Sequence, residues 1–210
     1  MSGYRGKRLF DLLLVLIVSP IWLPALCLIA WSVRARIGTP VLFRQRRTGL
    51  REREFMMYKF RTMTDARDVD GALLPDTERL TVSGRRLRSS SLDELPELFN
   101  VLRGDMSLVG PRPLLPQYLV RYSAHHRRRH ETPPGLTGLA QISGRNAIDW
   151  SDKFDLDVRY VEHCSMLLDI QILLRTFRTV IQRGGIAAAG DATMPEFTGY
   201  ESPIPPSSPG

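Results

Sequence analysis

The longest apolar run of the chain extends from Leu12 to Val33 and contains no charged residue. A run of about twenty such residues normally predicts a transmembrane helix. Ser19-Pro20 interrupts the run near its middle, where proline bends a helix because it lacks an N–H group and crowds the preceding turn. The pattern therefore predicts a bent membrane helix at about residues 7–33, with Ser19 and Pro20 at the bend. Pro24, a second proline in the run, leaves the exact shape of the bend open.

Basic residues flank this run on both sides. They are Arg5, Lys7 and Arg8 before it, and Arg34, Arg36, Arg44, Arg46 and Arg47 after it. Cytoplasmic segments next to membrane helices carry an excess of lysine and arginine. Both ends can lie in the cytoplasm if the helix enters the bilayer, bends at Ser19-Pro20 and leaves through the same face. The Ser19 hydroxyl can then bond a backbone group that Pro20 leaves free. The flanks favour this re-entrant helix over a single-pass anchor or a cleaved signal peptide.

Shorter patterns predict the rest of the fold. Two β-rich runs, at residues 41–50 and 55–61, are punctuated by glycine and indicate a hairpin. Helical spacing of apolar residues predicts amphipathic helices at residues 150–162 and 167–182. Asp169 lies between apolar neighbours in the second of these helices, and a carboxylate buried there would need a cationic partner. The fold class expected from these patterns is α+β and mainly helical.

Composition adds limits to this picture. The chain has 210 residues, 43% of them hydrophobic and 24% charged, which suits one folded domain at residues 1–186. Small residues, proline and serine dominate residues 187–210, and we interpret this segment as a mobile tail. The net charge of +7 suits anionic partners: nucleic acid, acidic lipid headgroups or nucleotide phosphates. Cys27 and Cys164 form no spacing pattern that indicates a disulfide framework or a zinc site.

Two adjacent carboxylates, Asp93 and Glu94, stand just before Pro96. Apolar residues at helical spacing follow them, and proline is tolerated only in the first turn of a helix. This pattern predicts that Asp93 is the N-cap of a helix, with Glu94 in its first turn. Helix capping alone could explain both residues. A helix N-terminus also attracts phosphate, so a catalytic or binding role stays open.

Four basic residues are candidates for contact with an anion. Lys59 in the hairpin faces either solvent or an anion, and Arg88 lies just before the two carboxylates. Arg112 stands between two prolines, on a stiff loop that serves either bidentate phosphate binding or a plain structural turn. Arg145 follows a glycine-punctuated segment, where glycines let a ligand approach the backbone. No aromatic platform accompanies the arginine run that ends at Arg88, so nucleic-acid binding is disfavoured. The run His125–His130 is expected to be a solvated or headgroup-facing basic patch.

Six short motifs occur in an order and spacing that together are specific. They are Ser19-Pro20, Tyr58–Met63, Leu92–Pro96, Asn100–Ser107, Gly110–Pro113 and Gly135–Gln141. With them the chain resembles the small bacterial monotopic phosphoglycosyl transferases, closest to the kind that starts N-linked protein glycan synthesis. The resemblance covers nearly the whole chain. It implies a re-entrant membrane helix, a small β-hairpin and amphipathic interfacial helices around the active site.

The resemblance also implies an activity. The enzyme would transfer a sugar phosphate from a UDP-sugar to undecaprenyl phosphate with Mg²⁺, at the cytoplasmic face of the bacterial inner membrane. Asp93 would be the nucleophile and a metal ligand, and Glu94 its acid/base or positioning neighbour. Carboxylate and diphosphate repel each other, so Lys59, Arg88, Arg112 and Arg145 are expected to surround the phosphates.

The partners implied are the UDP-sugar, undecaprenyl phosphate and membrane lipids, with no nucleic acid. The reaction would be the first membrane step of glycoconjugate or polysaccharide biosynthesis. The alternative is a non-catalytic membrane-anchored scaffold in which Asp93 and Glu94 only cap a helix. The residues do not indicate the sugar, the downstream glycan or the oligomeric state.

Overall fold

A computed structural model describes residues 3–143, 148–182 and 196–200 of the chain. Helices and strands follow in chain order as α1 (Lys7–Ile17), α2 (Ser19–Arg36), β1 (Leu42–Thr48), β2 (Glu54–Phe60), α3 (Asp76–Arg79), α4 (Val82–Ser89), α5 (Glu97–Arg103), β3 (Ser107–Val109), α6 (Ala124–Arg127), β4 (Gly135–Thr137), α7 (Leu139–Ser143), α8 (Trp150–His163) and α9 (Met166–Gln182). Short 3₁₀ helices lie at Leu50–Glu52, Leu92–Glu94, Pro116–Arg121 and Arg128–Glu131. The described part is thus α+β and mainly helical, as the sequence predicts.

The apolar N-terminal run forms two helices, α1 and α2, that meet at an angle of 65°. The break lies at Val18, next to the predicted Ser19-Pro20 position. The Ser19 hydroxyl donates to the carbonyl of Leu16 at 2.7 Å, and this is the carbonyl that the missing N–H of Pro20 would otherwise bond. Within the described residues no single helix meets the length and hydropathy expected of a membrane span, while the bent pair meets them by length and composition.

Helix α1 is fastened to the rest of the chain through its polar face. The Lys7 ammonium lies 2.6 Å from Asp169 Oδ2, and neither side chain is more than 5% exposed. Lys7 is therefore the cationic partner that the sequence requires for a buried Asp169. One helical turn later, Asp11 Oδ2 accepts a hydrogen bond from the Ser107 hydroxyl at 2.7 Å. Arg8 donates to the last carbonyls of α5. Val15 of the same helix is buried, whereas Leu13 and Ile17 are exposed.

The predicted hairpin is present as the antiparallel pair β1 and β2, with Leu42 opposite Phe60 and Thr48 opposite Glu54. A second pair, the parallel strands β3 and β4, is much shorter. In this second pair, Gly110, which directly follows β3, lies very close to Gly135 of β4. A Cβ atom added to Gly135 would lie 2.1 Å from the backbone nitrogen of Gly110. Only glycine fits there, so the loop after β3 can lie against β4.

Two clusters of side chains form the core. The larger one joins α1, α5, β3, α8 and α9 through Val15, Val101, Met106, Val109, Tyr160 and Ile172. The smaller one is aromatic and contains Tyr118, Tyr122, Phe154 and Phe197. Phe197 comes from residues 196–200, which lie inside the segment predicted as a tail. Residues 187–195 and 201–210 of that segment lie outside the described residues.

Candidate active site

The two adjacent carboxylates sit in a 3₁₀ turn, and the regular helix starts later than predicted. The turn covers Leu92–Glu94 and is entered through Ser91 at φ 58°, while α5 has Pro96 at its N-cap position. Neither element has a side-chain cap hydrogen bond. The prediction that Asp93 is the N-cap is therefore wrong. Pro96 begins α5 because it has no N–H to leave unpaired, and this places Asp93 outside the helix.

Glu94 lies between two cations from distant parts of the sequence. Its Oε1 is 2.6 Å from Lys59 Nζ of β2 and 2.7 Å from Arg112 Nη2 of the loop after β3. Lys59 Nζ also lies 3.2 Å from Oε1 of Glu97, in the first turn of α5. The structure thus brings Lys59, Arg112 and the predicted acid Glu94 into direct contact. Lys59 therefore faces anionic groups rather than solvent.

Burial and these cations act differently on the two glutamates. Burial raises the pKa of Glu94, but the positive charges and hydrogen bonds of Arg112 and Lys59 outweigh it and hold that pKa well below its ordinary value. Burial raises the pKa of Glu97, and the charge of Lys59 only partly offsets this. Glu94 is therefore the ionised partner of both cations, and Glu97 is the more readily protonated one.

Asp93 has a different environment from its neighbour. It is 8% exposed, and burial together with the negative charge of Glu94 raises its pKa from 3.8 to about 6, against the charges of Lys59, Arg88 and Arg112. Within the described residues Asp93 forms no hydrogen bond and no ion pair. A buried carboxylate that is free of partners but close to several cations can bind a metal ion or attack an electrophile.

Arg88 reaches the site from α4. A Cβ atom added to Gly84 would lie 1.9 Å from the carbonyl oxygen of Thr62, so glycine lets α4 lie directly against the segment after β2. Arg88 Nε then donates to the Thr62 hydroxyl at 3.0 Å. Arg88 is ion-paired to neither Asp93 nor Glu94, so its positive charge is available near them.

Backbone hydrogen bonds to β4 hold the loop Gly110–Pro113, which presents Arg112. Gly110 N–H donates to the carbonyl of Thr137, and Gly135 N–H donates to the carbonyl of Pro111, both at 2.9 Å. Gly135 of β4 therefore lets the Gly110–Pro113 loop lie directly against the strand. Arg129 supplies a further contact by donating from Nη2 to the carbonyl of Arg112 at 2.7 Å.

Arg129 belongs to the run expected to be a solvated patch, but it is only 2% exposed. Its guanidinium forms a buried ion pair with Asp157 of α8, with Nη2 2.7 Å from Oδ2. His126 and His130 are also buried, so the patch interpretation holds only for the exposed members of the run. One face of the run supports the loop that carries Arg112.

Sequence reasoning did not single out Glu97, Arg47 or the pair Arg129–Asp157. For Glu97 a signal existed, because it stands three residues after Glu94 and four after Asp93, and residues at these spacings share a face in a helical stretch. For the others no local signal exists, since their partners come from distant segments. Arg145, which was predicted to contact phosphate, lies outside the described residues.

Among the described residues, two sets of side chains can hold a cation. Asp93 offers a carboxylate without a cationic partner, and Mg²⁺ needs only one or two carboxylates when phosphate oxygens complete its shell. His125, His126 and Asp155 place their ligand atoms within 4.8 Å of one another, on α6 and α8. Imidazole nitrogens suit transition metals rather than Mg²⁺, so of these two sets Asp93 is the one that fits a magnesium ion bound to phosphate.

Comparison with known proteins agrees with a phosphate-handling site. Residues 3–183 match the family described as bacterial sugar transferase. The chain is 52% identical to an uncharacterized sugar transferase, EpsL, of Bacillus subtilis over 92% of this chain and 96% of that protein. It is 39% identical to a UDP-glucose:undecaprenyl-phosphate glucose-1-phosphate transferase of Caulobacter vibrioides, over 83% and 69% of the two chains. An undecaprenyl-phosphate galactose phosphotransferase of Salmonella typhimurium is 37% identical over 85% of this chain, which spans only 41% of that protein.

Proposed function

Because the chain belongs to the bacterial sugar transferase family, we propose that it moves a sugar phosphate from a UDP-sugar to undecaprenyl phosphate and releases UMP. The name of the Caulobacter relative supports both substrates, and the name of the Salmonella relative supports the undecaprenyl phosphate acceptor. Those names mention galactose and glucose, so these two sugars are the first donors to test. A special likeness to the initiating enzymes of N-linked glycosylation stays a prediction. The catalytic unit we propose is the single domain at residues 1–186.

One observation carries the proposal. Glu94, the second of two acids on one short turn, meets a lysine from β2 and an arginine from the loop after β3, at distances of 2.6 and 2.7 Å. Asp93 lies beside it, buried and close to the same positive charges. A helix cap would need none of these contacts, and Asp93 caps no helix. Cations gathered around a buried, unpaired carboxylate are suited to a reaction between a carboxylate and a phosphate.

In the first step we propose that an Asp93 oxygen attacks the β-phosphorus of the UDP-sugar. A bond forms between this oxygen and phosphorus, and the bond from phosphorus to the bridging oxygen breaks. The bridging oxygen leaves with the electron pair as part of UMP, so no proton is consumed. The product on the enzyme is an aspartyl phosphosugar. With a pKa of about 6, Asp93 is mostly ionised at neutral pH and can act as this nucleophile.

In the second step an oxygen of undecaprenyl phosphate attacks the same phosphorus. The bond to the Asp93 oxygen breaks, and the carboxylate leaves with its electron pair. Undecaprenyl diphosphosugar is formed and the enzyme is regenerated. Glu94 positions Lys59 and Arg112 for both steps, because it contacts both at 2.7 Å or less. Arg88 adds a third positive charge, and Arg145 is proposed as a fourth.

Mg²⁺ is proposed as the cofactor, with Asp93 as its protein ligand. When bound, it would neutralise part of the diphosphate charge that otherwise repels the carboxylates. The fit rests on the chemistry of the donor set. Within the described residues Asp93 is ion-paired to no basic side chain, whereas Glu94 is already bonded to two. One carboxylate together with phosphate oxygens suits a hard, oxygen-seeking ion.

The enzyme is proposed to sit in the cytoplasmic leaflet of the bacterial inner membrane. Exposed large apolar side chains are concentrated on α1, α2 and α9, among them Leu13, Ile17, Ile21, Leu28, Trp31, Leu167, Leu174 and Phe177. Such a surface is unfavourable in water and supports burial in lipid. The 65° bend and the doubly basic flanks favour a re-entrant pair. The lipid-bound phosphate stays at the interface, so a site held there meets it directly.

The activity is tested by the donor half-reaction. Purified protein is incubated with UDP-glucose or UDP-galactose and Mg²⁺ but without acceptor. We expect UMP release and a mass gain of one phosphosugar, with both lost in Asp93→Asn and retained in Asp70→Asn, which changes an exposed carboxylate. Normal turnover by Asp93→Asn would refute the nucleophile. No UMP from any UDP-sugar, with folded protein, would leave the anchored scaffold as the better reading.

The topology is tested separately by cysteine labelling from one side of the membrane. Cys27 and Cys164 are first replaced, and single cysteines are introduced as Arg5→Cys and Ala35→Cys, both at exposed positions. Labelling of both positions from the cytoplasmic side supports the re-entrant pair. Labelling from opposite sides would show a spanning helix.

A further inference from the structure

Arg47 lies at the end of β1, beside the loop that carries Arg112. The next residue, Thr48, donates its backbone N–H to the carbonyl of Leu114 at 3.0 Å. Leu114 follows directly on the Gly110–Pro113 loop. This backbone contact joins the end of the strand to the loop, and Arg47 lies close enough to Arg112 for the two positive charges to interact.

The guanidinium of Arg47 is incompletely bonded. One Nη donates to the neutral side chain of Gln45 at 2.7 Å. Its Nε is buried and has no hydrogen-bond partner. Within the described residues Arg47 forms no ion pair, unlike Arg61, Arg127 and Arg129, each of which has a carboxylate within 2.7 Å. A buried N–H without an acceptor is unfavourable and indicates an unfilled position.

The charges around Arg47 indicate what would fill that position. Burial and the positive charge of Arg112 lower the pKa of Arg47 to about 10, and Glu97 offsets this only in part. The carboxylates of Glu94 and Glu97 are already engaged, because Lys59 lies between them. Two neighbouring arginines, one of which has a buried N–H group without an acceptor, are suited to an anion with several oxygens.

We propose that Arg47 is a substrate-binding residue that contacts the diphosphate of the nucleotide-sugar donor, together with Arg112. The inference rests on the proposed function, because that function supplies the diphosphate. Planar guanidinium groups match the geometry of phosphate oxygens and can donate two parallel hydrogen bonds. The bound diphosphate would satisfy the Nε group and neutralise the repulsion between the two arginines.

The test compares UDP with uridine as ligands, measured by isothermal titration calorimetry in detergent. Arg47→Gln is expected to weaken UDP binding roughly ten- to hundredfold while leaving uridine binding unchanged. Arg47→Lys keeps the charge but loses the fork, and an intermediate loss is expected. Arg46→Gln is the matched control, since Arg46 is 75% exposed and points to the other face of the same strand.

Circular dichroism and thermal unfolding establish that each variant is folded before binding is compared. UDP affinity unchanged in folded Arg47→Gln and Arg47→Lys would overturn the inference, as would an equal loss for uridine. UMP release by the unaltered protein separates the two proposals. If it occurs while Arg47→Gln binds UDP normally, only the inference about Arg47 fails. If the unaltered protein neither releases UMP nor binds UDP, both fail.

Discussion

Replacing Asp93 with asparagine is expected to stabilise the fold at neutral pH while it abolishes the aspartyl adduct. The unfolded carboxyl group ionises at its ordinary pKa of 3.8, and the folded one at about 6. Between these values the folded state holds more protons than the unfolded state. The free energy of unfolding therefore falls as the pH rises through this range. The unaltered protein therefore loses stability as Asp93 ionises, because burial raises this pKa, and Asp93→Asn does not suffer this loss.

The size of the effect follows from the shift. A gap of about two pKa units corresponds to roughly 3 kcal/mol, since one unit is worth about 1.36 kcal/mol. Asparagine has nearly the same shape and no charge, so Asp93→Asn should recover this energy in full near pH 8. The gain should shrink to about 1 kcal/mol near pH 4.5, where most of the folded carboxyl is protonated. For a chain of this length, 3 kcal/mol raises the melting temperature by about 6–12 °C.

The assay is thermal unfolding in lipid nanodiscs, followed by tryptophan fluorescence, for the unaltered protein and Asp93→Asn at several pH values without added metal. Asp70→Asn is the control, because it removes an exposed carboxylate. A gain that is the same at every pH would refute the titration argument. A loss of stability near pH 8 would show that the ionised Asp93 is stabilised in the fold, contrary to the burial argument.

Four further variants test the contacts that hold the site and the membrane pair. Lys59→Met leaves Glu94 and Glu97 without their shared cation, so we expect UMP release to fall at least about a hundredfold. The free energy of unfolding should fall by roughly 2 kcal/mol near pH 8 and by less at acidic pH. An equal loss of stability at both pH values would contradict this. Arg129→Lys keeps a positive charge but cannot bond every partner of the guanidinium, among them the carbonyl of Arg112. We expect kcat/KM for the donor to fall roughly tenfold with little change in melting temperature. Unchanged kinetics would show that Arg129 does not position Arg112. Asp169→Asn leaves an ammonium buried without its counterion and should cost about 3–5 kcal/mol in unfolding free energy; a melting temperature within about 2 °C of the unaltered protein would refute this. Pro20→Ala restores a backbone N–H, so the bend should straighten and a cysteine at position 5 should become labelled from the opposite side; labelling from the cytoplasmic side as before would show that other contacts fix the bend.

The sequence by itself determined the features that depend on neighbouring residues. The missing N–H at position 20 predicted a bend near that residue, and α1 and α2 meet at Val18, two positions before it. Two β-rich runs punctuated by glycine predicted the hairpin. Helical periodicity placed α8 and α9 to within a residue or two. Asp169 was expected to need a cation because its apolar neighbours bury it. The acid pair was recognised from its position just before Pro96, although the prediction that Asp93 caps a helix was wrong.

Only the tertiary structure decided which charges meet. Glu94 is bonded to a lysine 35 positions away and to an arginine 18 positions away, and Asp169 to a lysine 162 positions away. No period along the chain encodes such pairs, because they depend on how strands, loops and helices pack. Packing also buried Arg129 within a run that looks solvated, and left the Nε of Arg47 without an acceptor. Local sequence fixes where helices and strands begin, bend and end. The electrostatic potential at the site is a sum over charged groups that only folding brings within a few ångströms of one another.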